Sequence, residues 1–263
     1  MINSTLDVVD GDFFKGLANC SSWEDIPDNP ILYATTETYL NALRFIAKNP
    51  DIKFKLITHN SDKCVSKCDV PDNLIRWYAQ NLDFDHPKVE PIPIGLENQS
   101  WHPAKRTVLD YMLKEKHNPH RNRSAALCQF NPNTFPRERH PLFNMVMSGQ
   151  IAADAYYCLN GMEFDIYCQN LLNYKFCLCP RGNGIDTHRL WEAILLGCIP
   201  IVKRSNSCYN YREPYPVLFV DSWYQVTSDL LKQASEAEID KSLFDTKLLT
   251  KSYWKERIAN ADF

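Results

Sequence analysis

The run Phe176-Cys-Leu-Cys-Pro-Arg-Gly-Asn-Gly-Ile-Asp-Thr-His-Arg-Leu-Trp-Glu-Ala-Ile-Leu-Leu-Gly-Cys-Ile-Pro-Ile-Val202 joins a strand, a glycine-bearing loop, a helix and a second strand. Lys175–Cys179 is expected to be a strand on which Cys177 and Cys179 face the same side, as buried free thiols. Gly182 and Gly184 follow, where the missing Cβ lets backbone approach a ligand closely. Asp186 or Thr187 is suited to cap a helix over 186–196, whose positive, amide-rich end then points back at the loop. Gly197 ends that helix, and 198–202 returns to the sheet as a strand.

A helix start of this kind receives a phosphate readily. Arg181, His188 and Arg189 bring cationic or donor groups to it, Asn183 lies between the two glycines, and arginine can hold two phosphate oxygens at once. Glu192 follows Arg189 by three residues and His188 by four, so the three share a helical face. A carboxylate one turn beyond a diphosphate is placed to accept hydrogen bonds from ribose hydroxyls. Taken singly, the glycines could make a plain turn and Arg189–Glu192 a plain ion pair. Their convergence with a helix start favours a ligand site. The segment contains neither the Gly-Lys-Ser/Thr of a P-loop nor Gly-x-Gly-x-x-Gly.

Outward from this unit, the pattern alternates between strands and helices. Upstream in the same half, 124–130 reads as a strand leading into Asn131-Pro-Asn-Thr134, with helices over 141–149 and 163–172. Downstream come a short strand over 217–220 and helices over 224–234 and 241–259. In the first half, 30–35 is a strand, 39–47 a helix ended by Asn49-Pro50, and 54–58 a strand breaking into His59-Asn60-Ser61-Asp62. The spacing then predicts a helix over 72–82 with Asp72 as its N-cap, a proline-bearing edge strand over 88–94, and a helix over 108–114. The expected organisation is an N-terminal Rossmann-like lobe over 1–115 and a C-terminal Rossmann-like lobe over 116–240. A C-terminal helix over 241–263 packs back on the first lobe. Lys114–Arg123 is a polar, basic, solvated hinge between the lobes.

The whole chain has 263 residues, 44% hydrophobic and 23% charged, with a net charge of −3. That is ordinary globular composition and gives no support for nucleic-acid or membrane-surface binding. The start of the sequence lacks the features of a signal peptide, and no run approaches 18 apolar residues, so a cytoplasmic protein without a membrane span is expected. The ten cysteines are expected to be reduced. Cys64, Cys68 and His59 lack the fourth ligand that a structural zinc site requires.

The stretch from Cys179 to Val202 resembles the donor-binding signature of exostosin-like glycosyltransferases and related GT-B enzymes, including those encoded by large algal viruses. Weaker echoes lie in Leu56–Asp62 and Pro91–Asn98. The resemblance implies an α/β GT-B fold, two Rossmann-like lobes whose parallel sheets face a central cleft. It also implies a nucleotide-sugar donor held by the second lobe and no required metal or other cofactor, with Gly184, Asp186, Arg189 and Glu192 as donor contacts. The chain differs from animal exostosins in its expected lack of an anchor and of a second catalytic domain.

The expected reaction is transfer of a hexosyl or pentosyl unit from a UDP-sugar, with UDP-xylose as a candidate, to an oligosaccharide or other glycan, with inversion. Alternatives are a fucosyl- or rhamnosyl-type transferase using a GDP- or dTDP-sugar, and a non-catalytic nucleotide- or carbohydrate-binding module. Leaving-group charge would fall on the helix-end amides and on Arg189, Arg181 and Arg137, and Gly182, Asn183, Thr187 and His188 are further expected donor contacts. The base should come from the facing lobe, and Asp62, His59 and Glu37 are the candidates. Trp101 and Asn60 are the candidate acceptor contacts, and the oligomeric state is left open.

Overall fold

The computed structural model describes residues 7–20, 25–114, 124–156, 163–204, 216–236 and 246–261. The basic hinge beyond Lys114, the lobe boundaries near 115 and 240, and the first residues of the expected C-terminal helix lie outside them.

Two parallel sheets flanked by helices form an α/β architecture. The first sheet has the order β1-β2-β3-β4, from Ile31–Thr35, Phe54–His59, Leu74–Ala79 and Val89–Pro91. Its register pairs Leu32 with Leu56 and Leu56 with Trp77. Helix α1 spans Gly11–Gly16 and α2 spans Tyr39–Lys48. Helix α8, Lys251–Ala259, crosses from the far end of the chain to cover this sheet, with Trp254 and Ile258 packed among Phe14, Ile57 and Tyr78. Lys55, fully buried, donates from Nζ to the carbonyls of Ile258 (2.8 Å) and Ala259 (3.2 Å), placing a cation at the negative end of α8.

The expected helix over 72–82 is instead strand β3. Its residues, Leu-Ile-Arg-Trp-Tyr-Ala, are rich in the branched and aromatic types that suit a pleated surface. Burial on both faces of an inner strand removes the simple alternation that would have betrayed it. The connections from β2 to β3 and from β3 to β4 are loops rather than helices, so this half departs from the βαβ rhythm.

The second sheet has the order β6-β5-β7-β8-β9, from Ala153–Ala155, Ala126–Cys128, Phe176–Leu178, Ile199–Lys203 and Leu218–Val220. Strand β6 had no counterpart in the sequence reading. Helices α4 (Pro136–Met147) and α7 (Ser228–Glu236) cover one face, where Ala126, Cys128, Phe176, Leu178 and Ile201 point. Helices α5 (Phe164–Asn173) and α6 (His188–Leu195) cover the other, where Leu127, Cys177, Cys179 and Val202 point. That second core continues without a break into the first lobe through Leu32, Leu43, Leu56 and Trp77. Helix α3, Pro103–Lys114, packs against α5 across the same junction. The strand order reverses between β5 and β7, the position at which open sheets of this type bind ligands.

Helix α4 begins five residues earlier than the sequence suggested. Pro136 takes its first turn, where a missing N–H costs nothing, and Pro141 sits inside the helix. The eight cysteines among the described residues are free thiols. No helix there is long and apolar enough to cross a membrane.

Candidate active site

A cavity of about 430 Å³ opens beyond the carboxyl ends of β5 and β7. Gln129, Phe130 and Asn131 continue from β5 into its wall, and the loop Gly182–Thr187 follows β7 into it. Helix α6 adds His188, Arg189 and Glu192, α5 adds Phe164 and Tyr167, and α4 adds Arg139. The facing lobe contributes Asp62, Ile94 and Lys105.

Two guanidiniums dominate this space. Arg139 is 5% exposed; its Nε donates to Arg181 O (2.8 Å), Nη1 to Asn131 O (3.1 Å) and Nη2 to Pro180 O (3.5 Å). Burial, and then the nearby Arg189, pull its pKa down to about 10. Arg189 is half-buried, with Nη1 donating to Gln129 O and Nε without a partner. Both lie against the Phe130 ring, at 5.5 and 6.0 Å from its centroid. Among the described residues neither has a carboxylate within ion-pair distance. Of the five N–H groups on each side chain, Arg139 leaves about two and Arg189 about four uncommitted. Two cations beside one cavity favour an anion between them, with Glu192 already favouring the charged form of Arg189.

The start of α6 adds to that field. Thr187 is its N-cap and no side chain caps it, so the first amides keep their positive end toward the cavity. Gly182 lies beside Arg139, and a Cβ there would stand in ordinary contact with Arg139 Nη2, at 3.4 Å. Gly184 lies at the junction of the lobes, and a Cβ there would meet Asn81 Nδ2 at 2.8 Å and Asp62 O at 3.3 Å.

Asp186 lines the cavity, but its carboxylate already accepts from several protein donors. Oδ2 accepts from Ile94 N (2.7 Å) of the facing lobe, and Oδ1 accepts from Thr187 N (2.8 Å) and the Trp191 indole (3.0 Å). Its own N–H donates to Asn81 Oδ1 (2.9 Å), so both ends of the residue tie the lobes together. His188 donates from Nδ1 to Gly95 O (2.9 Å), and its Nε2 stands 3.6 Å from Glu97. Lys105 is 3.5 Å from the same Glu97 and adds a cation from the first lobe. Glu192 is 6% exposed, yet it faces the cavity rather than the apolar interior.

The structure does not bring every sequence-predicted residue here. Arg137 is exposed and outside the cavity, while Arg139, two positions on, is inside. On a helix, residues two apart point about 200° away from each other, so the early start of α4 decides between them. Arg181 turns to the outer side of its loop, with its guanidinium 4.4 Å from the Phe135 ring centroid and Nη2 donating to Asn183 O. Asn183 stays at the cavity and donates to Asp62 Oδ2 (3.3 Å).

Of the three base candidates only Asp62 reaches the cavity. His59 is fully buried and stacked on Phe14. Its Nε2 faces Pro93 O (3.1 Å), which can only accept, so Nδ1 is the acceptor for Asn60 N–H (2.8 Å). Burial lowers its pKa to about 4, and both ring nitrogens are occupied. The same occupation removes it as a metal ligand beside Cys64 and Cys68. Among the described residues no group of three or more His, Cys, Asp or Glu is arranged to hold a metal ion. Glu37 is exposed and 3.9 Å from Lys63, and Trp101 is 61% exposed outside the cavity. Asn60 adopts φ 60° and accepts from Asn98 Nδ2 (3.0 Å), away from the cavity lining. Sequence reasoning missed Arg139, Lys105, Gln129 and Tyr167. Only Arg139 had a local signal, since it lies in the same Pro-Arg-Glu-Arg run as Arg137.

No curated protein sequence matches this chain. Among solved structures it is similar to the crystal structure of an α1,3-fucosyltransferase, at 17% identity and a TM-score of 0.42, over 82% of this chain and 77% of that one. The family model described as the exostosin GT47 domain matches residues 78–226, more than half of the sequence, and takes in every cavity residue except Asp62. The chain therefore belongs to the exostosin GT47 family of glycosyltransferase domains.

Proposed function

We propose that the cavity seats the diphosphate of a nucleotide sugar against Arg139, Arg189 and the start of α6, with Glu192 on the ribose. The observation that supports this reading is the pair of guanidiniums, Arg139 buried and Arg189 half-buried, that line one cavity with no carboxylate within ion-pair distance among the described residues. By family resemblance the donor is a UDP-sugar, and the reaction is hexosyl or pentosyl transfer to a glycan hydroxyl with inversion. In that step the acceptor oxygen bonds to the sugar's anomeric carbon as the bond to the β-phosphate oxygen breaks. The nucleoside diphosphate leaves as an anion, and Asp62, the first-lobe carboxylate at the cavity, takes the hydroxyl proton. Arginine donors and helix amides, fixed before the reaction, stabilise the departing charge in the role that a metal ion fills elsewhere.

Calorimetric titration with UDP and GDP, in EDTA and in magnesium, tests the site, and turnover with a panel of UDP-sugars tests the reaction. Binding should persist in EDTA. Asp62→Asn should retain it while losing about 10²–10⁴ in turnover. A protein that binds neither nucleotide, or binds only with added divalent metal, would overturn the reading.

A further inference from the structure

Asp62 stands on the loop that follows β2, and its side chain is exposed at the cavity. Its contact with Asn183 Nδ2, at 3.3 Å, is long for a hydrogen bond and holds the carboxylate only loosely. The firmer hold is on the backbone beneath it. Ser61 O, the carbonyl of the peptide that leads into Asp62, accepts from Asn81 Nδ2 (3.0 Å) and from Gln80 Nε2 (3.2 Å). Further along the loop, Val65 N–H donates to Asn81 O (2.9 Å), so Asn81 grips the chain on both sides of Asp62.

The other end of the same side chain belongs to the second lobe. Asn81 Oδ1 accepts from Asp186 N (2.9 Å), just before the start of α6. An amide has one donor end and one acceptor end, and each here faces its complement, which fixes its orientation. Gly184 leans on the same amide, since a Cβ there would meet Asn81 Nδ2 at 2.8 Å. Asn81 is 2% exposed and adopts φ 52°, left-handed backbone that glycine enters freely and asparagine tolerates better than most residues with a Cβ. Glycine would relieve that backbone but bring no amide to join the two loops.

We propose that Asn81 is a positioning residue for the transfer reaction: it ties the loop bearing Asp62 to the glycine loop, so that the carboxylate stands in register with a donor seated at the start of α6. This rests on the reading of Asp62 as the base and deepens it. Arg139 and Arg189 hold the phosphates without Asn81, so losing its side chain displaces the base and leaves the nucleotide seated. A misplacement of about 1 Å in a reacting group costs about 10²-fold in rate.

Asn81→Gly tests this, because it deletes both side-chain contacts at a φ that glycine accepts. Calorimetry reads UDP affinity, and UDP release from UDP-xylose and UDP-glucose, with water as acceptor, reads turnover. Affinity should stay within about threefold, while kcat falls about 10- to 100-fold with the donor KM little changed. In the Asp62→Asn background the same substitution should cost less than about twofold, because the group it positions is already gone. An unchanged kcat, a loss that falls on UDP affinity instead, or the full loss repeated beside Asp62→Asn overturns the inference and leaves the Asp62 reading standing. If Asn81→Gly does not fold, Asn81→Asp keeps the acceptor for Asp186 N–H but donates nothing to Ser61 O, and the same outcomes decide. Failure of both variants to fold makes Asn81 a structural residue and overturns the inference. No UDP release by the unmodified protein, or full turnover in Asp62→Asn, removes the reading of the base and this inference with it.

Discussion

Replacing Arg139 with methionine, beside the same change at Arg137, separates the two arginines by function. Arg139→Met removes three contacts to the carbonyls of Arg181, Asn131 and Pro180, a loss of about 3 kcal/mol at about 1 kcal/mol each. It also removes a cation that burial and Arg189 hold at a pKa of about 10, against an ordinary value of 12.5. That depression corresponds to about 3 kcal/mol of unfavourable charge burial, which disappears with the charge. The two effects nearly cancel, so the melting temperature of the ligand-free protein should move by only a few degrees. A bound diphosphate, in contrast, loses a charge-assisted contact of about 1.5–3 kcal/mol, so UDP affinity should fall about 10- to 150-fold. Calorimetry at fixed ionic strength reads the affinity, and a thermal melt reads the stability. Arg137 is exposed, and Arg137→Met should change affinity by less than about twofold. The reasoning is refuted if Arg137→Met weakens UDP as much as Arg139→Met does, or if Arg139→Met melts far lower with its affinity intact.

His59 should carry part of the acid sensitivity. Its folded pKa of about 4 lies below the free value of 6.5, so the unfolded chain takes up a proton that the folded one refuses. Stability is then complete above about pH 6.5 and falls by about 3 kcal/mol as the pH drops to about 4. His59→Gln should flatten the melting temperature against pH across that window, and an unchanged slope would count against the assignment. Gly184→Ala would place a methyl 2.8 Å from Asn81 Nδ2 and 3.3 Å from Asp62 O, and should cost about 1–3 kcal/mol in denaturant melts. Lys55→Met should leave the last carbonyls of α8 uncapped and cost about 1–3 kcal/mol, with faster hydrogen exchange confined to that helix; exchange spread evenly over the chain would contradict it.

What could be read in advance was what is local. The unit from Phe176 to Val202 carries its own punctuation: a strand, two glycines, a helix opening at Thr187, and Gly197 at φ 75° to close it. The glycine loop, Arg189 and Glu192 could therefore be assigned to one place without knowledge of the rest. Tyr167 and Lys105 come to the same cavity only because α5 and α3 pack together, and nothing adjacent to them in sequence announces it. Strand β3 reads as a helix in sequence because its two buried faces erase the period of two, and the loops on either side of it lack the helices of a βαβ unit. His59 looked like a base because it sits at a strand end. Which way its ring turns is fixed by Pro93 and Phe14, 34 and 45 positions away. Asp186 looked like a ligand group for the same local reason, and its carboxylate proved to be taken by Ile94 N–H and the Trp191 indole.

The apolar cluster that passes uninterrupted from the first sheet into α5 and α6 bears on how the polypeptide comes apart. Neither half can retain its shape once the other is removed, since each would present a broad greasy surface to water. Calorimetry should record one endotherm, not two, and the halves expressed singly should precipitate.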